Sequence, residues 1–304
     1  MSTSAPALAS AYAACERDAR AHYENFPVAS LLLPKAMRPH VAAVYAFARA
    51  ADDFADEGRR PVEERHALLD GWIGRLHDAA SGRASGPPPR GGEPANAREI
   101  FVALGASIRT HGLPVELFED LVSAFRQDIE TTRYASWSDL LDYCRRSANP
   151  VGRLVLRIAG HRDAVLDAAS DAVCTALQLT NFWQDLRIDF ERGRIYVPAD
   201  ERAAHGAVEK DLDGPRLGPA WRQTIASAAA RTRALFGAGR PVCDAVSGRL
   251  RYELRATWLG GMRILDRLER SGFDPVRARP KLGAGDVPWF AWRLATWQRR
   301  PARA

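Results

Sequence analysis

The chain has 304 residues, enough to bury a substantial core as one large domain or two small ones, and carries a formal net charge of +6 with a pI of about 9.4. That balance suits anionic partners such as diphosphates or acidic lipid head groups. However, its basic residues are nearly all arginine in an alanine-rich chain, a pairing that base-composition bias also produces. With no run of five or six basic residues, no zinc-finger spacing and no other nucleic-acid motif, the chain fits DNA or RNA binding poorly. Cys15, Cys144, Cys174 and Cys243 lie far apart without a C-x-x-C spacing, as expected of a reduced, cytoplasmic chain. The start lacks a basic n-region, and Glu16, Arg17 and Asp18 interrupt the alanine-rich stretch that follows, which argues against a signal peptide. Nothing approaches about 18 uninterrupted apolar residues, so no spanning helix is expected.

Helical periodicity dominates and β-branched alternation is almost missing, so the fold class is all-α. The first helix covers about 7–24 and ends at Asn25-Phe26-Pro27. Pro34 opens the next, with Pro39 in its first turns. Helices follow at about 61–80, 97–111 and 115–130, the last two divided by Gly112 and Pro114. Between 80 and 97, the run Gly82 to Pro94 is rich in Gly and Pro with no apolar period and reads as a mobile surface loop near 82–96. Trp137 to Ser147 forms a helix, and Asn149-Pro150 ends it and starts another at Val151. Such a gap beside Tyr143 either exposes unpaired backbone groups to a pocket or is an ordinary interhelical turn. A long helix over about 163–191 is followed by the basic turn Arg192-Gly-Arg194-Ile-Tyr196-Val-Pro198. Helices at about 219–238 and 241–271 and a tail helix near 286–299 complete the chain; Gly260-Gly261 weakens the second of these unless a neighbour or substrate packs closely there. No domain boundary and no internal repeat is evident, so the chain reads as a single domain.

Two of these helices carry the candidate chemistry. Tyr45, Arg49, Asp52 and Asp56 fall on one helical face, as do Gln178, Asn181, Asp185 and Asp189. Each stripe ends in two carboxylates one turn apart, an arrangement that costs a helix a few tenths of a kcal/mol; with no lysine to relieve it, a cation between them is indicated. Hard oxygens without a Cys or His cluster favour Mg²⁺ over zinc. Either stripe alone reads more readily as a solvated acidic face, and it is the two together that shift the balance. Their apolar flanks (Val41, Val44, Phe47, Phe54; Leu177, Leu179, Phe182, Trp183) make both helices largely buried, and a buried carboxylate needs a partner. Arg192 and Arg194 suit a diphosphate, or they pair with Glu191 and Asp189 as surface bridges.

The two stripes, the Tyr143-Cys144 segment and the Arg-Gly-Arg-Ile-Tyr-Val-Pro run resemble the squalene and phytoene synthase family over nearly the whole chain. The resemblance implies the all-α isoprenoid synthase bundle, with the acidic motifs facing each other across a central cavity and holding Mg²⁺ against a prenyl diphosphate. On it, Asp52, Asp56, Asp185 and Asp189 match the metal carboxylates, and Gln178 and Asn181 match polar residues beside them. Tyr45 and Arg49 match positions near the diphosphate, and Tyr143 matches an aromatic residue of the reaction cavity. Within the family, His22 to Ser30, Arg38 to Arg49, Tyr143 to Gly152 and Asn181 to Asp185 are most similar to the bacterial hydroxysqualene synthase branch of squalene and hopanoid pathways. Two departures point the same way. Members that join two prenyl diphosphates carry Ser-x-Ser-Phe where this chain has Tyr23-Glu24-Asn25-Phe26, and Val-Ala-Gly where it has Ser147-Ala148-Asn149.

The resemblance therefore implies a carbon–oxygen lyase that ionises presqualene diphosphate with Mg²⁺ and Arg49 and quenches the rearranged cation with water. Ser147 or Asn149 would position that water and Tyr143 would stabilise the cation. Helix-end hydrogen bonding for Ser147 and Asn149, and packing for Tyr143, are equal readings. Arg194 and Tyr196 belong to the substrate-binding turn. NADPH is not expected, and no Gly-rich dinucleotide fingerprint is present. A prenyltransferase making presqualene diphosphate, squalene or phytoene is the alternative. A non-catalytic assembly protein of the same fold ranks last, because all four aspartates are kept. The partners implied are presqualene diphosphate, the inner face of the cell membrane as a peripheral surface, and the pathway's partner synthase and reductase.

Overall fold

In a computed structural model of the chain, the described residues are 5–21, 32–56, 60–83 and 89–298. Residues 22–31, and with them the expectations placed on Tyr23 to Phe26, lie outside them. The described residues are helices and connections, with no strand beyond an isolated bridge between Arg133 and Ile195. Packing divides the chain into two compact units, Met1–Glu130 with Pro150–Asp163, and Thr131–Asn149 with Ala164–Ala304.

The first unit contains α1 (Ala5–Ala21), α2 (Arg38–Asp56), α3 (Val62–Ala80), α4 (Ala97–His111) and α5 (Glu116–Asp128). After α6 (Trp137–Ser147) of the second unit, the chain returns to the first for α7 (Asn149–Ile158), from Pro150 onwards. Helix α2 packs against α1, α3, α4 and α5 because its apolar residues, among them Val41, Val44, Phe47, Ala51 and Phe54, recur at helical spacing and are all buried. Trp72 of α3 fills the centre, 4.4 Å from the Phe101 ring and 5.2 Å from Phe54, and its indole N–H donates to the Phe47 carbonyl at 3.2 Å. Gly105 lets α4 approach α3 closely: a Cβ there would lie 2.7 Å from the Ala79 carbonyl oxygen. Gly112 ends α4 in the left-handed region (φ 57°), donating its N–H to Ile108 O, as the Gly-then-Pro punctuation predicts. Within the Gly/Pro-rich run, the Glu93 carboxylate is buried against Arg75 in a two-pronged ion pair at 2.9 and 2.6 Å. A polar cluster joins α1, α2 and α4. The Tyr12 hydroxyl and the Ser107 hydroxyl lie 3.1 and 2.9 Å from His40 Nδ1, and the His111 ring meets the His40 ring edge-on at 4.3 Å.

The second unit holds α8 (Ala164–Gln184), α9 (Leu186–Glu191), α10 (Ala199–Ala204), α11 (Pro219–Gly239), α12 (Val242–Ala245), α13 (Gly248–Arg270) and α14 (Val287–Ala295), besides α6. Helix α8 is its axis, packed on α6, α11 and α13. The contact is close because two glycines remove side chains. At Gly261 a Cβ would lie 2.2 Å from the Phe236 ring, and at Gly239 it would lie 2.6 Å from Ala169 O. The paired glycines expected to weaken this helix are thus matched by a packed neighbour. Trp183 is fully buried and donates to Thr232 Oγ1 at 2.8 Å.

Two expected helices are each broken. The one foreseen over about 163–191 stops at Gln184 and restarts at Leu186, with Asp185 (φ −101°, ψ 11°) between. The cause is tertiary. Gln184 donates to Pro280 O at 2.7 Å, Asp185 accepts from Arg279, and Arg187 donates to Leu212 O at 2.7 Å and to Gly214 O. The helix foreseen over about 241–271 breaks at Val246–Ser247, where extended backbone and the left-handed Gly248 (φ 59°) separate α12 from α13. Cys15, Cys144 and Cys243 are unpaired and fully buried. Burial pushes the Cys15 and Cys243 thiols up to about 12 and raises Cys144 as well.

Candidate active site

In the first unit the acidic stripe occupies the side of α2 opposite its packed face. Tyr45, Arg49 and Asp52 are half-buried, and Asp56, the last residue of the helix, is exposed. Arg49 reaches Asp52 at 3.6 Å and Asp53 at 2.6 Å. Asp53 lies outside the predicted stripe, although its i,i+4 spacing from Arg49 is readable in the sequence. Burial raises the Tyr45 phenol above its usual range; Arg49 opposes this, and Asp53 and Asp52 add to it.

In the second unit Gln178 and Asn181 lie one turn apart on α8, Asp185 is the break residue that follows it, and Asp189 lies on α9. Asn181 Nδ2 donates to Asp185 Oδ2 at 2.9 Å, while Arg279 donates to Asp185 Oδ1. The Asp189 carbonyl accepts the Arg194 amide at 2.8 Å, which folds the basic turn back on α9. Gly193 (φ 81°) makes that turn, and Arg133 pins it by donating to Gly193 O at 2.6 Å while holding Glu209 in a forked ion pair. Asp52 and Asp185 therefore each have an arginine beside them. Arg49 and Arg279 thus stand beside one carboxylate of each stripe, where the sequence shows no lysine.

Beyond the turn, Tyr196 is buried and stacks on Phe182 with centroids 3.7 Å apart and planes 7° from parallel. Tyr134 and Tyr143 complete the group at 5.9 and 6.2 Å from Tyr196. The sequence reading took Phe182 as an apolar flank and passed over Tyr134, because periodicity does not show which buried rings will stack on one another. Ser147 stands one turn beyond Tyr143 on α6; its Oγ is buried and has no hydrogen-bond partner among the described residues. Asn149, 8% exposed, accepts from Thr175 Oγ1 at 2.9 Å through its Oδ1.

The donors of each stripe are of the kind Mg²⁺ takes. Asp52 and Asp56 in the first unit, and Asp185 and Asp189 in the second, offer hard oxygens, and this ion binds through one or two carboxylates plus substrate phosphates rather than in an all-protein cage. Among the described residues no three His, Cys, Asp or Glu side chains form such a cage.

The squalene/phytoene synthase family model matches residues 19–293. The hydroxysqualene synthase of Zymomonas mobilis is 39% identical over 217 residues, 70% of this chain and 67% of the relative. That of Sinorhizobium fredii is 33% identical over 267 residues, 87% and 85% of the two chains. Among solved structures, squalene synthase HpnC from Alicyclobacillus acidocaldarius superposes with a TM-score of 0.78 at 41% identity, covering 88% of this chain and 95% of that one. The helical architecture is accordingly that of the isoprenoid synthases.

Proposed function

We propose, for a chain that belongs to the squalene/phytoene synthase family, that it converts presqualene diphosphate and water to hydroxysqualene and diphosphate. Members of this family process prenyl diphosphates, and the relatives at 33% and 39% identity support the hydroxysqualene branch. The observation that carries the reading is the buried, unbonded Ser147 hydroxyl one turn from Tyr143, a polar group suited to hold water beside an aromatic surface.

In this reading the carbon–oxygen bond to diphosphate breaks with its electron pair leaving on oxygen, and Arg49 and Arg194 offer guanidinium donors to the departing group. Mg²⁺, when bound, supplies further positive charge there, and Asp52, Asp56, Asp185 and Asp189 would hold it. Gln178 and Asn181 orient the carboxylates of the second stripe, and Tyr45 donates to the diphosphate. The ring faces of Tyr143 and Tyr196 stabilise the rearranging cation. Ser147 accepts a hydrogen bond from the water whose oxygen forms the new bond to carbon, with release of a proton, and Asn149 fixes the turn that presents Ser147. No NADPH enters this step. Substrate and product are long hydrocarbons, so the protein would work as a peripheral protein at the inner face of the cell membrane, between a partner synthase and a reductase. Among the described residues no helix is long and apolar enough to cross a membrane.

The test is incubation of the purified protein with presqualene diphosphate in ¹⁸O water without NADPH. The expected product is hydroxysqualene with a labelled hydroxyl, and little product from farnesyl diphosphate alone. Efficient condensation of farnesyl diphosphate would overturn the branch assignment, and an unlabelled hydroxyl would overturn water capture.

A further inference from the structure

Helix α14 contains nine residues and buries none of them. At 100° per residue, Val287, Pro288, Ala291, Trp292 and Ala295 share one arc of about 140°. All five are exposed, Val287 at 63% and Trp292 at 58%, and none carries a charge. The other side is the packed one. Trp289, Phe290 and Leu294 are half-buried, and Phe290 and Leu282 reach the space above Gly260 of α13. The helix is thus seated on the protein by one apolar face and offers a second to its surroundings.

The surroundings of that second face are basic. Arg293 lies over the Trp289 and Trp292 rings at 5.8 and 5.7 Å, and Arg263 over Trp289 at 4.8 Å. Asp286, at the start of the helix, is shared between Arg263 and Arg267 at 3.1 and 2.7 Å, which leaves a positive balance. From Arg277 to Arg293 the sequence has three arginines and Lys281 against that one acid. A second copy docking symmetrically would bring this basic rim against itself. A negatively charged lipid surface complements it, and tryptophan and arginine are the side chains that settle at a head-group boundary. Nine helical residues are far short of the roughly 20 needed to span a bilayer, so the helix would lie in the surface.

We infer that α14 is the surface by which the protein sits on an anionic phospholipid bilayer, with the Val287–Trp292 face at the acyl boundary and the flanking arginines on lipid phosphates. Its purpose rests on the proposed reaction, whose substrate and product reside in a bilayer; its geometry does not. The full chain is tested by co-sedimentation with phosphatidylcholine vesicles with and without about 30% phosphatidylglycerol. Expected are binding to the acidic vesicles that falls with salt, a loss on the order of tenfold or more in Val287→Ser/Trp292→Ser, and a smaller loss in Arg293→Gln. Both sets of positions are exposed, so the variants should keep the wild-type circular dichroism and turnover of detergent-dispersed substrate. Absence of binding by the wild type, or equal binding by the double variant, would overturn the inference. So would a wild-type dimer in sedimentation velocity that the double variant dissolves, since a second copy would then be the occupant. The vesicle assay needs no substrate: binding through α14 by a protein that makes another product upholds this inference and removes only the proposed reaction.

Discussion

On α2 the counter-ion of the carboxylates comes from the same helix, Arg49 lying three and four residues before Asp52 and Asp53, whereas Asp185 takes Arg279 from 94 residues further along the chain. The first stripe is therefore arranged as soon as α2 forms and packs. The second is arranged only when the segment carrying Arg279 and Pro280 has docked, and that docking coincides with the break that divides α8 from α9. The same chemistry is encoded locally in one unit and by tertiary contact in the other.

The largest expected effect tests whether the two stripes serve one reaction. Asp52→Asn and Asp185→Asn should each keep the helical circular dichroism yet lower turnover by about 10²–10³ or more, because each removes a carboxylate proposed to hold the Mg²⁺ whose positive charge would stabilise the leaving oxygen. A deep loss in one variant and wild-type activity in the other would separate the stripes. In parallel, Mg²⁺ with diphosphate should raise the wild-type Tm and raise that of either variant less, since only ligands that bind the folded state stabilise it.

Gly261→Ala comes next. The new methyl would enter the Phe236 ring and the side of Leu177, and overpacking of this kind costs about 1–3 kcal/mol. A lowered urea midpoint, with faster amide exchange in α8 and none added in α2, would tie the second stripe to its packing; uniform exchange would break the contrast. The arginines should then differ by a smaller margin. Arg279→Ala should cost about 1 kcal/mol and speed exchange near residues 184–189, while Arg49→Ala should cost about 0.3–0.5 kcal/mol, the range of an intrahelical pair. Equal costs would show that both stripes are local.

The smallest effect concerns acid. Burial lowers the pKa of His40 and of His111 below the ordinary 6.5, with His111 adding to the first shift and Arg162 to the second. A lowered imidazole pKa means that the unfolded chain takes up the proton first. The first unit's stability should accordingly be complete above about pH 6.5 and decline as pH falls towards the folded-state values. Exchange in α1, α2 and α4 measured at pH 7.5 and 5.5 should show this; a flat response would mean that the cluster with Tyr12 and Ser107 accepts a proton without cost.

Much of the fold was legible because its punctuation is local. Gly112 with Pro114, Pro150 and Pro219 each end or begin a helix through their own backbone chemistry. The break at Asp185 was not legible, since its cause lies in Arg279, Pro280, Leu212 and Gly214, none of them near in sequence. The extended Val246–Ser247 link was missed for a related reason: Gly248 sits inside an otherwise helical pattern, where a glycine is usually tolerated. For the site, the carboxylates and Arg49 stood out because charges at helical spacing are conspicuous. Phe182 and Tyr134 did not, because an aromatic ring that stacks on Tyr196 leaves the same periodic trace as one buried in a core. Arg133, which pins the basic turn through Gly193, gives no sequence signal at all.

The buried thiols have a practical consequence. Cys15 belongs to the first unit, Cys144 and Cys243 to the second, and each is closed to solvent and kept protonated by its burial. A thiol in that state meets an alkylating reagent only when its neighbourhood opens, so its labelling rate is the opening rate or the open fraction of that neighbourhood. The unmodified chain thus contains separate clocks: Cys15 times the release of α1, Cys144 that of α6, and Cys243 that of α12 from α13. Read together by mass spectrometry during slow warming, they would give the order in which these neighbourhoods open within each unit.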